Sequence, residues 1–285
     1  MGLSDEFTDH KLYDRLSLTV KGDSPFSEIL KSLSSTEHRH YEFWRKYAPD
    51  QEPKVSSLAI SWVLLLRMLF GLTFAVRYLD RHEAKVVKRY KSVAHLIPES
   101  DRTSFDEMLK DEEEHEREFG RKIESSVIRY ISFVVLGLAD ALVEITGIHA
   151  GSLGIYNITE YAGLAGIVAG AAASLAMASA AFAQAKQGFQ GSARLSAAYT
   201  GISYFITAVI LATPYFIFAS MVYALTVSLL LAVLIITFVS YYSSIISGKP
   251  FTRDYLEILG IMFGVTLALY VFGYVVGITT GFRVS

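Results

Sequence analysis

The sequence of 285 residues contains no cysteine. A chain without thiols forms no disulfide, no cysteine-ligated zinc site and no iron–sulfur cluster. A strong net charge is also missing, because 26 basic and 28 acidic residues leave a formal charge of -2. That balance gives no reason to propose nucleic acid as a partner. Metal ligands in this chain would therefore come from carboxylates, imidazoles and thioethers.

Charged residues are scarce in the second half of the chain. Up to about residue 128 the sequence is rich in Lys, Arg, Asp, Glu and His, whereas long apolar runs follow one another from Tyr130 onward. This division predicts a soluble domain over 1–128 and a membrane domain over 129–285. Since a helix needs about 20 apolar residues to cross a bilayer, we predict five spans. They are 130–155, 161–185, 197–217, 220–246 and 255–279.

Basic residues are nearly absent from one side of these predicted spans. The other side carries Arg121, Lys122, Arg129, Lys186, Arg194, Lys249 and Arg253. Only Arg283, at the extreme end, departs from this bias. Because loops rich in Lys and Arg stay in the cytoplasm, the N-terminal domain is predicted to be cytoplasmic. The C-terminus is then predicted to lie outside, in a multi-pass protein of the cell (inner) membrane.

One further apolar stretch, "SLAISWVLLLRMLFGLTFAV" at 57–76, is long enough to suggest a sixth span. It contains Arg67 and continues directly into the charged segment "RYLDRHEAKVVKRYK". A span here would also move 77–128 to the opposite side from 1–50. We therefore predict one long soluble helix, with its apolar end buried against a partner or the membrane surface. The soluble half then has four helices, near 4–20, 24–48, 54–96 and 104–127, which suggests an up-down bundle.

Two of these helices carry a Glu and a His three residues apart, on the apolar face. In "KDEEEHEREF", Glu112 and His115 continue the stripe formed by Met108 and its apolar neighbours at steps of three and four. Glu37 and His40 continue the corresponding stripe of the second helix. Buried carboxylates and imidazoles are costly unless they are compensated, either by mutual hydrogen bonds or by a metal ion.

A second spacing favours the metal ion. Glu6 precedes Tyr13 by seven residues, and Glu83 precedes Tyr90 by seven, so each pair shares one helix face. The chain thus presents four Glu and two His from four helices, as a carboxylate-bridged di-metal site requires. Mixed carboxylate and imidazole ligation suits iron or manganese and does not decide between them. The predicted metal ligands are Glu6, Glu37, His40, Glu83, Glu112 and His115, with Tyr13 and Tyr90 in support.

These motifs make residues 1–128 resemble a ferritin-like domain of the rubrerythrin type. The resemblance implies a cytoplasmic four-helix bundle with a di-iron site, which stores, senses or oxidises metal. Asp9 and His10 are alternatives to Glu6 on the first helix. Rubrerythrins often carry a rubredoxin domain as well, and a chain without cysteine lacks it.

The first predicted span contains two acids, Asp140 and Glu144, in "GLADALVEITGIHAG". Asp140 lies 11 residues past Arg129, about 16 Å along a helix, and so near the bilayer midplane. Ionisable residues at that depth are costly and are usually functional. Met177, at a similar depth in the second span, offers a soft thioether ligand or simply packs. Pro214 is expected to kink the third span.

The segments "VVLGLADALVEITGIHAG" and "GAAASLAMASAAF" resemble the first two spans of the vacuolar iron transporter family. The resemblance covers 130–285 and implies a homodimer that exports Fe²⁺, or Mn²⁺, in exchange for protons. It places Asp140 and Met177 on the transport path. This sequence departs from the family at Ala181, where a Glu is common, and in the short link between spans two and three. A fusion of the two domains is similar to the membrane-bound ferritins of the erythrin type.

Two functions follow from these features. In the first, the protein is a metal-ion transporter whose cytoplasmic domain captures iron and has at most an accessory ferroxidase activity; no catalytic residue is assigned. In the second, it is a di-iron oxidase or peroxidase that the spans merely anchor. Because an anchor has no need of acids at the midplane, Asp140 and Glu144 favour the transporter.

Overall fold

The computed structural model describes residues 2–20, 25–122, 126–156, 158–248 and 250–280. Side chains are described in these ranges except at 25, 80, 82–85, 114–122 and 126–128. Every regular element there is helical, which confirms the predicted all-α class. The chain divides into two compact units, an N-terminal unit over Met1–Glu124 and a C-terminal unit over Ser125–Ser285.

Five α-helices make up the N-terminal unit within the residues that the structure describes. They are α1 (Gly2–Leu18), α2 (Pro25–Arg45), α3 (Ser57–Phe70), α4 (Leu72–Val93) and α5 (Arg102–Lys122). Two short 3-10 turns, Ala94–Leu96 and Glu99–Asp101, join α4 to α5. Helix α1 packs along α2, α4 packs along α5, and α2 also contacts α5.

The prediction of a single helix over 54–96 is wrong, because the helix is interrupted at Gly71 and forms two helices, α3 and α4. Gly71 has φ 88° and ψ 168°, a backbone conformation that is essentially restricted to glycine. Helix α3 is 14 residues long, about 21 Å, and so falls short of a bilayer core of about 30 Å. It packs against α1 and α4 instead.

Two apolar clusters hold the N-terminal unit together. The first joins helices α1 to α4 through Leu12, Tyr13, Leu16, Leu30, Leu33, Val63, Ala75, Val76 and Leu79. The second joins α2, α4 and α5 through Phe43, Val86, Tyr90, Phe105 and Met108. On α2, the buried polar residues Glu37 and His40 lie between Leu33 of the first cluster and Phe43 of the second. The fold therefore leaves a polar layer between two apolar ones.

In the described part of the C-terminal unit there are six α-helices. They are α6 (Ser126–Ser152), α7 (Thr159–Ala185), α8 (Ala193–Ala212), α9 (Pro214–Ile217), α10 (Met221–Ser247) and α11 (Phe251–Thr280). Helix α6 is central, because it packs against α7, α8, α10 and α11. The regular helix is interrupted at Thr213, directly before Pro214, which is where the sequence predicts a kink. Together α8 and α9 form one continuous apolar segment, Ala193–Ile217.

The described ranges contain five segments long and apolar enough to cross a membrane, as predicted. Large apolar side chains point outward from them, among them Leu175 at 71% exposure and Leu234 at 65%. Polar residues such as Thr200 and Ser228 are fully buried between the helices. An apolar exterior, with hydrogen-bonded polar residues buried between the helices, is the arrangement that a bilayer favours and water does not. The C-terminal unit thus has the character of a membrane domain.

Close packing of α6 against α8 depends on Gly137. A Cβ at this position would overlap with the backbone oxygen of Thr200 and with Ser203 Oγ. The same approach lets Thr200 Oγ1 donate a hydrogen bond of 3.0 Å to the carbonyl oxygen of Phe133. Gly137 lies about one turn before Asp140, so this close approach holds α8 beside the acidic part of α6.

Candidate metal centre and acidic pair

Four buried side chains converge inside the N-terminal unit. Glu6 from α1, Glu37 and His40 from α2 and Glu112 from α5 each offer a ligand atom, and these atoms lie within 4.8 Å of one another. Each residue is only 2% exposed. Three carboxylates and an imidazole at this spacing can hold a metal ion, and the donor set suits a hard or borderline divalent cation.

The orientation of the His40 ring decides which nitrogen serves this cluster. Nδ1 lies 2.9 Å from Glu112 Oε1, 3.6 Å from Glu6 Oε2 and 3.7 Å from Glu37 Oε2. Nε2 points the other way and lies 3.5 Å from Asp111 Oδ2. Asp111 also accepts a hydrogen bond of 3.3 Å from Arg39. A carboxylate behind the imidazole orients a metal-binding histidine and leaves Nδ1 as the ligand atom.

Burial and mutual repulsion control the charges in the cluster. Burial raises the pKa values of Glu6 and Glu37 to about 7, against the opposing effect of His40, and it also raises the pKa of Glu112. Burial by itself would lower the pKa of His40, but contacts with Glu112, Glu37 and Glu6 outweigh it and raise that pKa to about 12. The metal-free cluster thus shares its protons among carboxylates and an imidazolium. A bound cation would take the place of those protons.

Local sequence explains why these side chains point inward. Glu37 and His40 follow Leu33 at steps of four and three, and Glu112 follows the buried Met108 by four, so each continues an apolar stripe. Glu6 lies between the buried residues Leu3 and Tyr13 on α1. Tyr13 and Tyr90 are themselves buried, at 2% and 3% exposure. The side chains of Glu83 and His115 lie outside the described residues, so their predicted role stays a prediction.

The first helix offered Glu6, Asp9 and His10 as alternatives, and Glu6 is the one in the cluster. His10 is held elsewhere, because its Nδ1 lies 2.7 Å from the carbonyl oxygen of Ser34 and 2.9 Å from Ser34 Oγ. Asp9 is partly buried one turn after Glu6. Burial, followed by the nearby charges of Glu37 and Glu112, raises its pKa well above the usual range. Asp9 therefore adds a further carboxylate beside the cluster.

The acidic pair of α6 has a partner that the sequence did not reveal. Asp140 and Glu144 are both partly buried, and Tyr204 Oη on α8 donates a hydrogen bond of 2.5 Å to Glu144 Oε2. The Tyr204 ring is fully buried. Met177 on α7 packs against the same apolar cluster that contains Tyr204 and Leu142. Helix α8 thus reaches Glu144 directly, and α7 joins α6 and α8 at the apolar cluster.

Sequence reasoning missed Asp111 and Tyr204. Asp111 lies in the acid-rich segment "DEMLKDEEE", which contains six acids. Spacing alone does not show which of these acids contacts His40 and which are exposed to solvent. Tyr204 is one of 17 tyrosines, and its phenol finds Glu144 only because α8 packs on α6. A buried tyrosine hydroxyl needs a hydrogen-bond partner. The position of Tyr204 in the middle of an apolar span was therefore the available signal that it contacts a polar group.

No protein-family model, no curated protein and no solved structure matches the chain. The two family resemblances of the sequence therefore stay predictions.

Proposed function

We propose that the protein exports a divalent metal ion, Fe²⁺ or Mn²⁺, from the cytoplasm in exchange for protons. Its N-terminal unit would be a cytoplasmic, ferritin-like di-metal domain that captures the ion. The observation that carries this proposal is the acidic pair Asp140 and Glu144 in the first apolar segment, Arg129–Ser152. An anchor gains nothing from two acids at that depth, whereas a cation path needs them.

The chemistry of a carboxylate supplies the coupling. Asp140 must lose its proton to bind a dehydrated cation, so binding releases a proton and protonation releases the cation. Glu144 lies one turn further along α6, held by Tyr204, and would receive the ion from Asp140. Met177 would add a thioether contact. In this scheme each residue binds or releases the ion or the proton, and no covalent step is needed.

The buried cluster supports the choice of cargo. Glu6, Glu37, His40 and Glu112 form a carboxylate-rich donor set, which suits iron and manganese. Such a domain would collect the ion that the membrane unit carries, and oxidation of iron there would be an accessory activity. The resemblance to vacuolar iron transporters adds the expectation of a homodimer.

Asp140→Asn tests the transport step, because the amide keeps the size of the side chain and cannot carry its charge. In vesicles containing the full chain, we expect this variant to lose both Fe²⁺ flux and metal-driven proton movement, while metal bound to the N-terminal unit is unchanged. Asp254→Asn, in the first turn of α11, is the matched control and should transport normally. Parent-rate exchange by Asp140→Asn would overturn the proposal and favour a membrane-anchored di-iron oxidase or peroxidase.

A further inference from the structure

A chain of oxidisable aromatic rings leads away from the buried cluster along α2. Trp44 follows His40 by one turn, which places their Cβ atoms about 5–6 Å apart. The Trp44 ring centroid lies 5.2 Å from that of Tyr90 and 6.3 Å from that of Tyr47. Trp44 Nε1 also donates a hydrogen bond of 3.1 Å to Tyr90 Oη. Trp44 thus stands between the cluster and Tyr47.

Tyr47 brings this chain to the surface, with 43% of the residue exposed. Its phenol donates a short hydrogen bond of 2.6 Å to Asp101 Oδ2. That bond stabilises the neutral phenol and, with partial desolvation, raises the pKa of Tyr47 to about 12. A carboxylate at this distance is also placed to accept the proton that a phenol must lose when it is oxidised.

Trp44 also contacts two phenylalanine rings, which are much harder to oxidise than tryptophan or tyrosine. Phe43 meets Trp44 edge to face at 5.3 Å, and Phe105 does so at 6.2 Å. Both belong to the buried cluster that also holds Val86 and Met108. Among the rings that contact Trp44 in the described residues, Tyr47 and Tyr90 are therefore the ones that can reduce an oxidised Trp44.

We propose that Trp44 and Tyr47 form an electron relay between the buried cluster and the protein surface. The inference rests on the proposed metal centre and adds a redox use for it. A chain without cysteine has no rubredoxin-type centre to deliver electrons, so another route is needed if the centre reacts with peroxide or dioxygen. Through Tyr47, the relay lets an external one-electron donor reduce the proposed metal centre.

The electron and proton balance is simple. Trp44 gives one electron to the peroxide-oxidised centre and becomes a radical cation. Tyr47 then gives an electron to Trp44, and its phenolic proton passes to Asp101, which leaves a neutral tyrosyl radical beside a carboxylic acid. The external donor reduces this radical, and the proton returns from Asp101 to the phenol. One donor molecule is oxidised for each electron that reaches the centre.

The relay can be tested without metal. In the full-length, metal-free protein carrying Trp62→Phe, Trp44 is the only tryptophan left of the two. Azidyl radicals from pulse radiolysis oxidise it, and absorption reports conversion of the tryptophan radical to a tyrosyl radical. We expect Tyr47→Phe to remove the fast conversion and Asp101→Asn to slow it about tenfold, the effect of one lost charge-assisted hydrogen bond. Tyr41→Phe, on the helix that carries Trp44, is the control and should leave the rate unchanged.

Two results would overturn the relay. One is the same conversion rate with and without Tyr47→Phe. The other is a conversion that is lost in Tyr90→Phe and unaffected by Tyr47→Phe, because the radical would then pass to the buried Tyr90 and would not reach the surface. In iron-loaded protein oxidised with hydrogen peroxide, Tyr47→Phe should slow reduction by an external donor while iron content is unchanged. If the parent chain did not bind iron, the proposed metal centre would be wrong. A failure of the metal centre is therefore distinguishable from a failure of the relay.

Discussion

Glu112 Oε1 lies 2.9 Å from His40 Nδ1 in the buried cluster. Glu112→Gln keeps the shape of the side chain and removes its charge, so we expect most of the bound metal to be lost. Glu107→Gln, an exposed position on the same helix, should keep full metal content. Elemental analysis of the full-length protein measures the bound metal. With Asp140→Asn present in both variants, the membrane unit should bind none, so the metal content reports the N-terminal unit alone. Equal metal content would reject the assignment.

Protonation gives a second prediction for these residues. Glu6 and Glu37 have pKa values raised to about 7. Because their protons and the proton of the His40 imidazolium must leave before a cation binds, metal affinity should rise steeply with pH up to about 7 and less steeply above it, where only His40 still loses a proton. The metal-free fold should show the opposite trend: since the folded state holds the extra protons, its stability falls as pH rises from about 4.5 to about 7.

Calorimetric titration of the full-length protein with Mn²⁺, at about pH 6 and about pH 8, measures both the affinity and the protons released. We expect more protons to be released at the lower pH, where the two glutamates and His40 all lose them, than at the higher one, where His40 is the main source. An affinity that did not change between the two would show that the cation does not displace these protons.

At the scale of elements, Gly71 separates the apolar helix α3 from the charged helix α4. Its φ of 88° and ψ of 168° are unfavourable for any residue with a Cβ, although open space surrounds the position. Gly71→Ala should therefore destabilise the N-terminal unit by about 1–3 kcal/mol through backbone strain alone. Denaturant unfolding of the full chain, followed by Trp fluorescence, measures this.

Gly260→Ala is a suitable control, because the position lies inside α11 and also has open space around it. Its ordinary helical backbone gives no reason for strain, and alanine has the higher helix propensity. If Gly71→Ala were as stable as this control, α3 and α4 would be able to join into the single helix that the sequence suggested.

At the scale of the whole molecule, the absence of cysteine makes the topology directly testable. Single cysteines can be introduced by Gln187→Cys, between α7 and α8, and by Glu160→Cys, at the start of α7; both positions are exposed. The basic residues Lys186 and Arg194 predict that position 187 is cytoplasmic and position 160 is not. An impermeant maleimide added to intact cells should label only Glu160→Cys. The reverse pattern would place the N-terminal unit outside the cell.

The sequence by itself determined the all-α class and the five long apolar segments, because hydropathy and helix length are local properties. Helical phase also turned Glu37, His40 and Glu112 inward, since each continues an apolar stripe of its own helix. These features need no knowledge of which helices are neighbours.

Tertiary structure decided everything that depends on neighbouring helices. Glu6 joins the cluster while Ser34 holds His10 away from it, and this follows from how α1 packs on α2. Tyr204 reaches Glu144 because Gly137 lets α8 approach α6. Spacing along one chain fixes the face on which a side chain lies, but only packing between helices fixes what that face meets.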